Sequence, residues 1–72
     1  MRLPTNKSRA RRGVVIMQEY RRRHDAGEPR IGLAVLTDVL ADLMHAVERQ
    51  PDLFQRALKS AKMHYLSEHL YG

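Results

Sequence analysis

The sequence predicts an all-α fold, a small three-helix domain that ends in a helical hairpin and begins with a flexible basic arm. Three observations lead to this prediction. A chain of 72 residues has room for a single domain, apolar residues recur at helical spacing through its second half, and positive charge is concentrated at its start. Residues 1–30 carry nine Lys and Arg against three acids, whereas residues 31–72 carry four against five. This uneven charge indicates a polyanion-facing segment attached to a nearly neutral folding module.

The basic arm is predicted to span residues 1–12. This stretch contains Pro4 and almost no apolar side chains, so it buries too little surface to offset the entropy lost on ordering. The remaining residues, 13–72, are predicted to form the single helical domain.

The first helix is expected within residues 13–26. The apolar run from Val14 to Met17 also suits a strand. A helix is favoured because Met17 and Tyr20 follow helical spacing, and because the cations of residues 21–24 precede Gly27, a combination typical of a helix end.

The hairpin is predicted from two further apolar stripes. One helix is expected over about 37–49, with Thr37 or Asp38 as its N-cap, and a start near residue 32 is the alternative. It ends before Pro51 because a residue that precedes proline is displaced from helical dihedrals. The next helix starts at Pro51 or Asp52. A connection of two or three residues predicts a tight hairpin. Its expected core consists of Leu40, Leu43, Val47, Phe54, Leu58 and Ala61.

The arginine clusters are the candidate binding residues. Guanidinium groups match phosphate oxygens, and their contacts with phosphates release counterions. We therefore expect a nucleic acid as partner, bound through its backbone. The alternative is a protein-binding adaptor or inhibitor, whose hairpin docks on an acidic protein. The predicted nucleic-acid contacts are Arg9, Arg11, Arg12, Arg21, Arg22 and Arg23.

No catalytic constellation stands out, so we do not expect an enzyme. Cysteine is absent, and neither a convincing Ser-His-Asp order nor a phosphate-cradling glycine loop is present. Asp42 and His45, with His64 from the next helix, offer ligand types that zinc accepts. Their spacing is generic, however, and we interpret them as surface or interhelical Asp–His pairs. No metal or cofactor is expected.

Self-association is expected because a chain this short has a marginal core and no disulfide to reinforce it. The second apolar stripe of the last helix, Met63, Leu66 and Leu70, is the predicted self-association surface of a homodimer. No apolar run approaches the length of a membrane span, and the residues after Arg12 are too few and too briefly apolar for a secretory signal. A cytoplasmic protein is therefore expected.

Residues 36–68 carry a moderately specific pattern, LTDVLADLMH followed by ALKSAKMHY. This pattern resembles a group of small uncharacterised proteins of bacterial plasmids and integrated elements. The resemblance implies a bacterial mobile-element origin and no particular activity. The function that we expect is therefore that of a small non-enzymatic nucleic-acid-binding accessory or regulatory protein of such an element.

An alternative fold rests on the alternation of Ile31, Leu33 and Val35. A short strand followed by two helices is similar to the order of elements in ribbon-helix-helix repressors, which are dimers that regulate transcription. The resemblance implies that Arg30, Gly32 and Ala34 would face the bases, although glycine and alanine are poor readers of base edges.

Overall fold

A computed structural model describes the backbone of residues 5–71 and the side chains of residues 5–70. Three helices make up this part of the chain: α1 (Asn6–His24), α2 (Leu33–Ala46) and α3 (Pro51–Tyr71). No strand occurs within residues 5–71. The predicted all-α class with three helices is thus confirmed.

Helix α1 begins earlier than the sequence suggested. Thr5 is its N-cap, and the Thr5 hydroxyl accepts a hydrogen bond from the Ser8 amide at 3.1 Å, which satisfies one of the free N–H groups of the first turn. Residues 6–12, assigned to the flexible arm, are therefore the first two turns of a helix, and the predicted boundary at residue 12 falls inside it. Residues 1–4 of the predicted arm lie outside the described residues.

Helix α2 starts four residues before its predicted N-cap, at Leu33. Gly32 precedes it as N-cap, and the Thr37 hydroxyl, instead of capping the helix, donates to the Leu33 carbonyl at 2.7 Å. Because Leu33 and Val35 are helical, the strand that a ribbon-helix-helix fold requires is not formed. The alternative fold is therefore wrong for these residues.

Helix α3 starts at Pro51, where a proline lacks only an N–H that would have no helical partner, and it runs for 21 residues. Among the described residues, the one extended contact between helices joins α1 and α2. Helix α3 meets α2 at the corner around Val47 and Phe54, and its last turns meet the start of α1. The three helices therefore meet at these places and are otherwise spread apart. The expected tight packing of the hairpin is absent from the described residues.

The core of this arrangement is very small. Val35 is the single fully buried side chain in the described part of the chain. The hairpin core predicted from apolar spacing is mostly exposed or half-buried, and Leu43 is an example at 51% exposure. The predicted core residues do not form the core, because α3 diverges from α2 and the two apolar faces do not cover each other.

Candidate nucleic-acid interface

One side of α1 carries a row of exposed basic and polar side chains. Lys7, Arg11, Gln18 and Arg22 are separated by four, seven and four residues, a spacing that places them in one row along a helix. All four side chains are exposed. At about 1.5 Å per residue the row is roughly 22 Å long.

Two arginine pairs lie along this side of α1. Arg11 and Arg12 precede Arg22 and Arg23 by eleven residues, about three helical turns or 16 Å. Both pairs therefore point to the same side of α1. We refer to the side defined by Lys7, Arg11, Arg12, Gln18, Arg22 and Arg23 as the basic face.

Glu19 lies between the two pairs and binds the second one. Its Oε1 accepts hydrogen bonds from Arg22 Nη2 at 2.5 Å and Arg23 Nε at 2.7 Å. These bonds from Arg22 and then Arg23 lower the pKa of Glu19 to about 2, and the same contact raises the pKa of Arg22. Glu19 is consequently ionised at neutral pH and competes with any phosphate for these arginines.

Arg11 and Arg12 have no such competitor within the described chain. Both side chains are exposed, and no ion pair or hydrogen bond joins either of them to another residue of the 5–70 stretch. They are the predicted contacts best placed to receive phosphate oxygens.

Two of the six predicted arginines face the inside of the molecule. Arg9 Nε lies 2.6 Å from Glu68 Oε2 on α3, and Arg21 Nε donates to the Glu28 carbonyl at 2.5 Å. Arg21 thereby fixes the connection that follows α1. The structure thus separates the predicted set into four exposed arginines and two that hold the fold together.

Lys7 was missed by sequence reasoning because residues 1–12 were expected to be irregular. The signal that would have found it is its spacing of four residues from Arg11, which matters only once the stretch is known to be helical.

The junction of α1 and α2 holds the remaining polar contacts. Tyr20 donates its hydroxyl proton to Asp42 Oδ2 at 2.6 Å, and this bond raises the pKa of Tyr20 to about 12. Burial and, to a smaller extent, the nearby Asp38 carboxyl raise the pKa of Asp25. Asp25 Oδ2 is buried and has no hydrogen-bond partner among the described residues.

The expected Asp–His pairs, on the surface or between helices, are absent from the described residues. Asp42 binds Tyr20 instead, and His45 Nδ1 lies 3.6 Å from Glu48 Oε2 on the same side of the corner. No hydrogen bond or ion pair within residues 5–70 joins His64 to an aspartate of α2, because α3 leaves α2 at the corner. In the described part of the chain no group of three or more His, Asp and Glu side chains is arranged to hold a metal ion.

An apolar groove of about 560 Å³ lies between α1 and α2, next to the Tyr20–Asp42 bond. Val15, Ile16 and Leu43 line it, with Arg23 and Glu19 also in its wall. The predicted self-association residues Met63, Leu66 and Leu70 lie on α3 and are all more than half exposed. None of the described helices is both long and apolar enough to cross a membrane.

Comparisons with protein-family models, curated proteins and solved structures gave no match to this chain. The geometry of the basic face is therefore the basis for a functional proposal.

Proposed function

We propose that this chain is a small non-enzymatic protein that binds nucleic acid through the phosphate backbone, with the basic face of α1 as the contact surface. The observation that carries the proposal is the pair Arg11 and Arg12, exposed on a helix and without an acidic partner among the described residues. Exposed guanidinium groups on a rigid helix bind phosphate oxygens at a low cost in ordering, because the helix already fixes their backbone.

The distribution of charge supports α1 as the contact element. Residues 31–72 are nearly neutral, with four bases and five acids, so α2 and α3 add little attraction for a polyanion. Backbone contacts set affinity and orientation without selecting a base sequence. The resemblance of residues 36–68 to small plasmid and integrated-element proteins supports an accessory or regulatory role in a bacterial mobile element.

The competing candidate, an adaptor whose hairpin docks on an acidic protein, is less well supported by the charges. The hairpin itself is the nearly neutral part of the chain, whereas an acidic partner requires a basic surface. On the hairpin, the exposed cations of α3 that such a partner could meet are Arg56, Lys59 and Lys62.

The experiment is a comparison of two charge-matched double variants in binding to random-sequence duplex DNA, measured by fluorescence anisotropy. Arg11→Gln with Arg12→Gln should weaken binding at least about tenfold, equivalent to roughly 1.4 kcal/mol. Arg49→Gln with Arg56→Gln removes the same charge from exposed positions outside α1 and should leave affinity within about threefold, a small effect on that scale.

Two results would refute the proposal. One is equal weakening by both double variants, which would reduce the effect to net charge alone. The other is the absence of measurable DNA binding at low salt, which would favour the acidic-protein alternative.

A further inference from the structure

One side of α2 carries an apolar row with heptad spacing. Its members are separated by three, four, three and four residues, the pattern by which one helix packs lengthwise against another. We name this row the leucine seam, and it consists of Leu33, Leu36, Leu40, Leu43 and Val47. Helix α1 lies against the neighbouring side of α2, the side of Val35 and Val39, and of the seam residues Leu43 also lines the groove between α1 and α2.

The leucine seam is largely uncovered within the chain. Leu33 is 84% exposed, and Leu36, Leu40 and Leu43 are between 36% and 51% exposed. Burying a leucine side chain is among the larger stabilising contributions that a single residue makes. Because these leucines are exposed within one chain, their burial contributes little to its stability.

The chain exposes more surface to solvent than a compact monomer of its mass. The chain exposes 6649 Å², whereas a compact monomer of 8.4 kDa exposes about 4,600 Å². The excess of roughly 2,000 Å² is spread over all three helices and is larger than the area of about 800 Å² that each partner buries in a standard interface. The radius of gyration of 14.1 Å likewise exceeds the value of about 11 Å for a compact domain of this length.

The residues that flank the seam indicate the kind of partner. In the heptad, the positions beside the seam are occupied by Thr37, Val39, Met44 and Ala46. None of them is charged, so two copies of this surface meet without like-charge repulsion. An uncharged surface also offers nothing to bind a nucleic acid or an acidic peptide.

We propose that a second copy of this chain covers the leucine seam, so that α2 packs against the α2 of its partner about a twofold axis. A twofold contact is self-complementary, which suits an apolar row without charge. This surface is favoured over the Met63, Leu66 and Leu70 stripe of α3, because Lys59 and Lys62 lie close to that stripe and would repel their equivalents. The proposal does not depend on nucleic-acid binding, since the basic face lies on α1.

The absence of cysteine from the sequence permits a direct test with single-cysteine variants of the full chain. The test variants are Leu36→Cys, Leu40→Cys and Leu43→Cys. The control positions Ala41→Cys and His45→Cys are also exposed but lie on the side of α2 away from the seam. A disulfide requires Cα atoms within about 7 Å, so near a twofold axis at least one seam position should form a covalent dimer under mild oxidation, and the controls should not.

Two measurements complete the test. Crosslinking of the seam variant should disappear in urea, because it depends on the folded assembly, and wild-type protein should sediment at twice the chain mass of 8.4 kDa. Leu40→Glu should lower that mass to one chain, whereas Ala41→Glu should not. The proposal is overturned by a wild-type monomer at tens of micromolar, or by seam variants that crosslink no more than the controls.

Discussion

Arg9 and Glu68, close to opposite ends of the chain, form an ion pair in which Arg9 Nε lies 2.6 Å from Glu68 Oε2. Asn6 Nδ2 strengthens the same junction by donating to the Glu68 carbonyl at 2.8 Å. These bonds are the contacts by which the last turns of α3 hold the start of α1. An arginine that the sequence suggests as a phosphate ligand therefore has a structural partner.

A double-mutant cycle with Arg9→Gln and Glu68→Gln should give a coupling energy of about 0.5–1 kcal/mol, the upper range for a partly exposed pair. Thermal or urea unfolding measures it. Additive effects of the two substitutions would show that the pair does not join α1 to α3. Pairing also implies that Arg9→Gln should weaken DNA binding less than Arg11→Gln.

Glu19 restrains the arginines at the second end of the basic face. Glu19→Gln removes the acceptor that Arg22 and Arg23 share and should therefore tighten DNA binding. Glu48→Gln, which changes the net charge equally and lies outside α1, is the matched control. If the two variants tighten binding to the same extent, the gain reflects net charge and not the release of these arginines.

The Tyr20–Asp42 bond predicts a pH dependence at high pH. The folded protein raises the pKa of Tyr20 from its ordinary value of 10 to about 12. A raised pKa means that the stabilisation is fully present below pH 10 and is lost as the pH rises from 10 through 12. An ultraviolet titration of the phenolates should show one late step, and Tyr20→Phe should abolish it. A late step that persists in Tyr20→Phe would assign it to another tyrosine.

Val35 is fully buried, so Val35→Ala should lower the free energy of unfolding by about 1.5–3 kcal/mol, from lost transfer energy and the cavity left behind. Val15→Ala, at a position that is 62% exposed, should change it by less than about 0.5 kcal/mol. Urea denaturation measures the free energy of unfolding of both variants. Equal losses would contradict the assignment of Val35 to the core.

Most of the helical structure was predictable, because its signals are local. The cations of residues 21–24 and Gly27 marked the end of α1, and Pro51 marked the start of α3. The start of α1 was missed because residues 6–12 lack an apolar row, and their helix is set by the Thr5 cap and by Glu68 on α3. The sequence left the start of α2 open between about residues 32 and 37, because Leu33 and Val35 fit both a strand and a helix.

The candidate site was predictable only in part, because some of its contacts are local in sequence and others are not. Arginine spacing identified the right helix, and the spacing of Glu19 from Arg22 and Arg23 is the three- and four-residue pattern of a helical ion pair. The role of Arg9 depends on Glu68, which is remote in sequence. The open arrangement of α3 was likewise not predictable, since apolar spacing identifies a face without naming what covers it.

The most direct test of nucleic-acid binding by α1 is the salt dependence of binding to duplex DNA. Each phosphate contact contributes about −0.9 to the slope of log K against log salt. Arg11→Gln with Arg12→Gln should therefore make the slope shallower by about 1.8 per bound chain, while Arg49→Gln with Arg56→Gln leaves it unchanged. A slope that the α1 variant does not alter would contradict phosphate binding by the basic face.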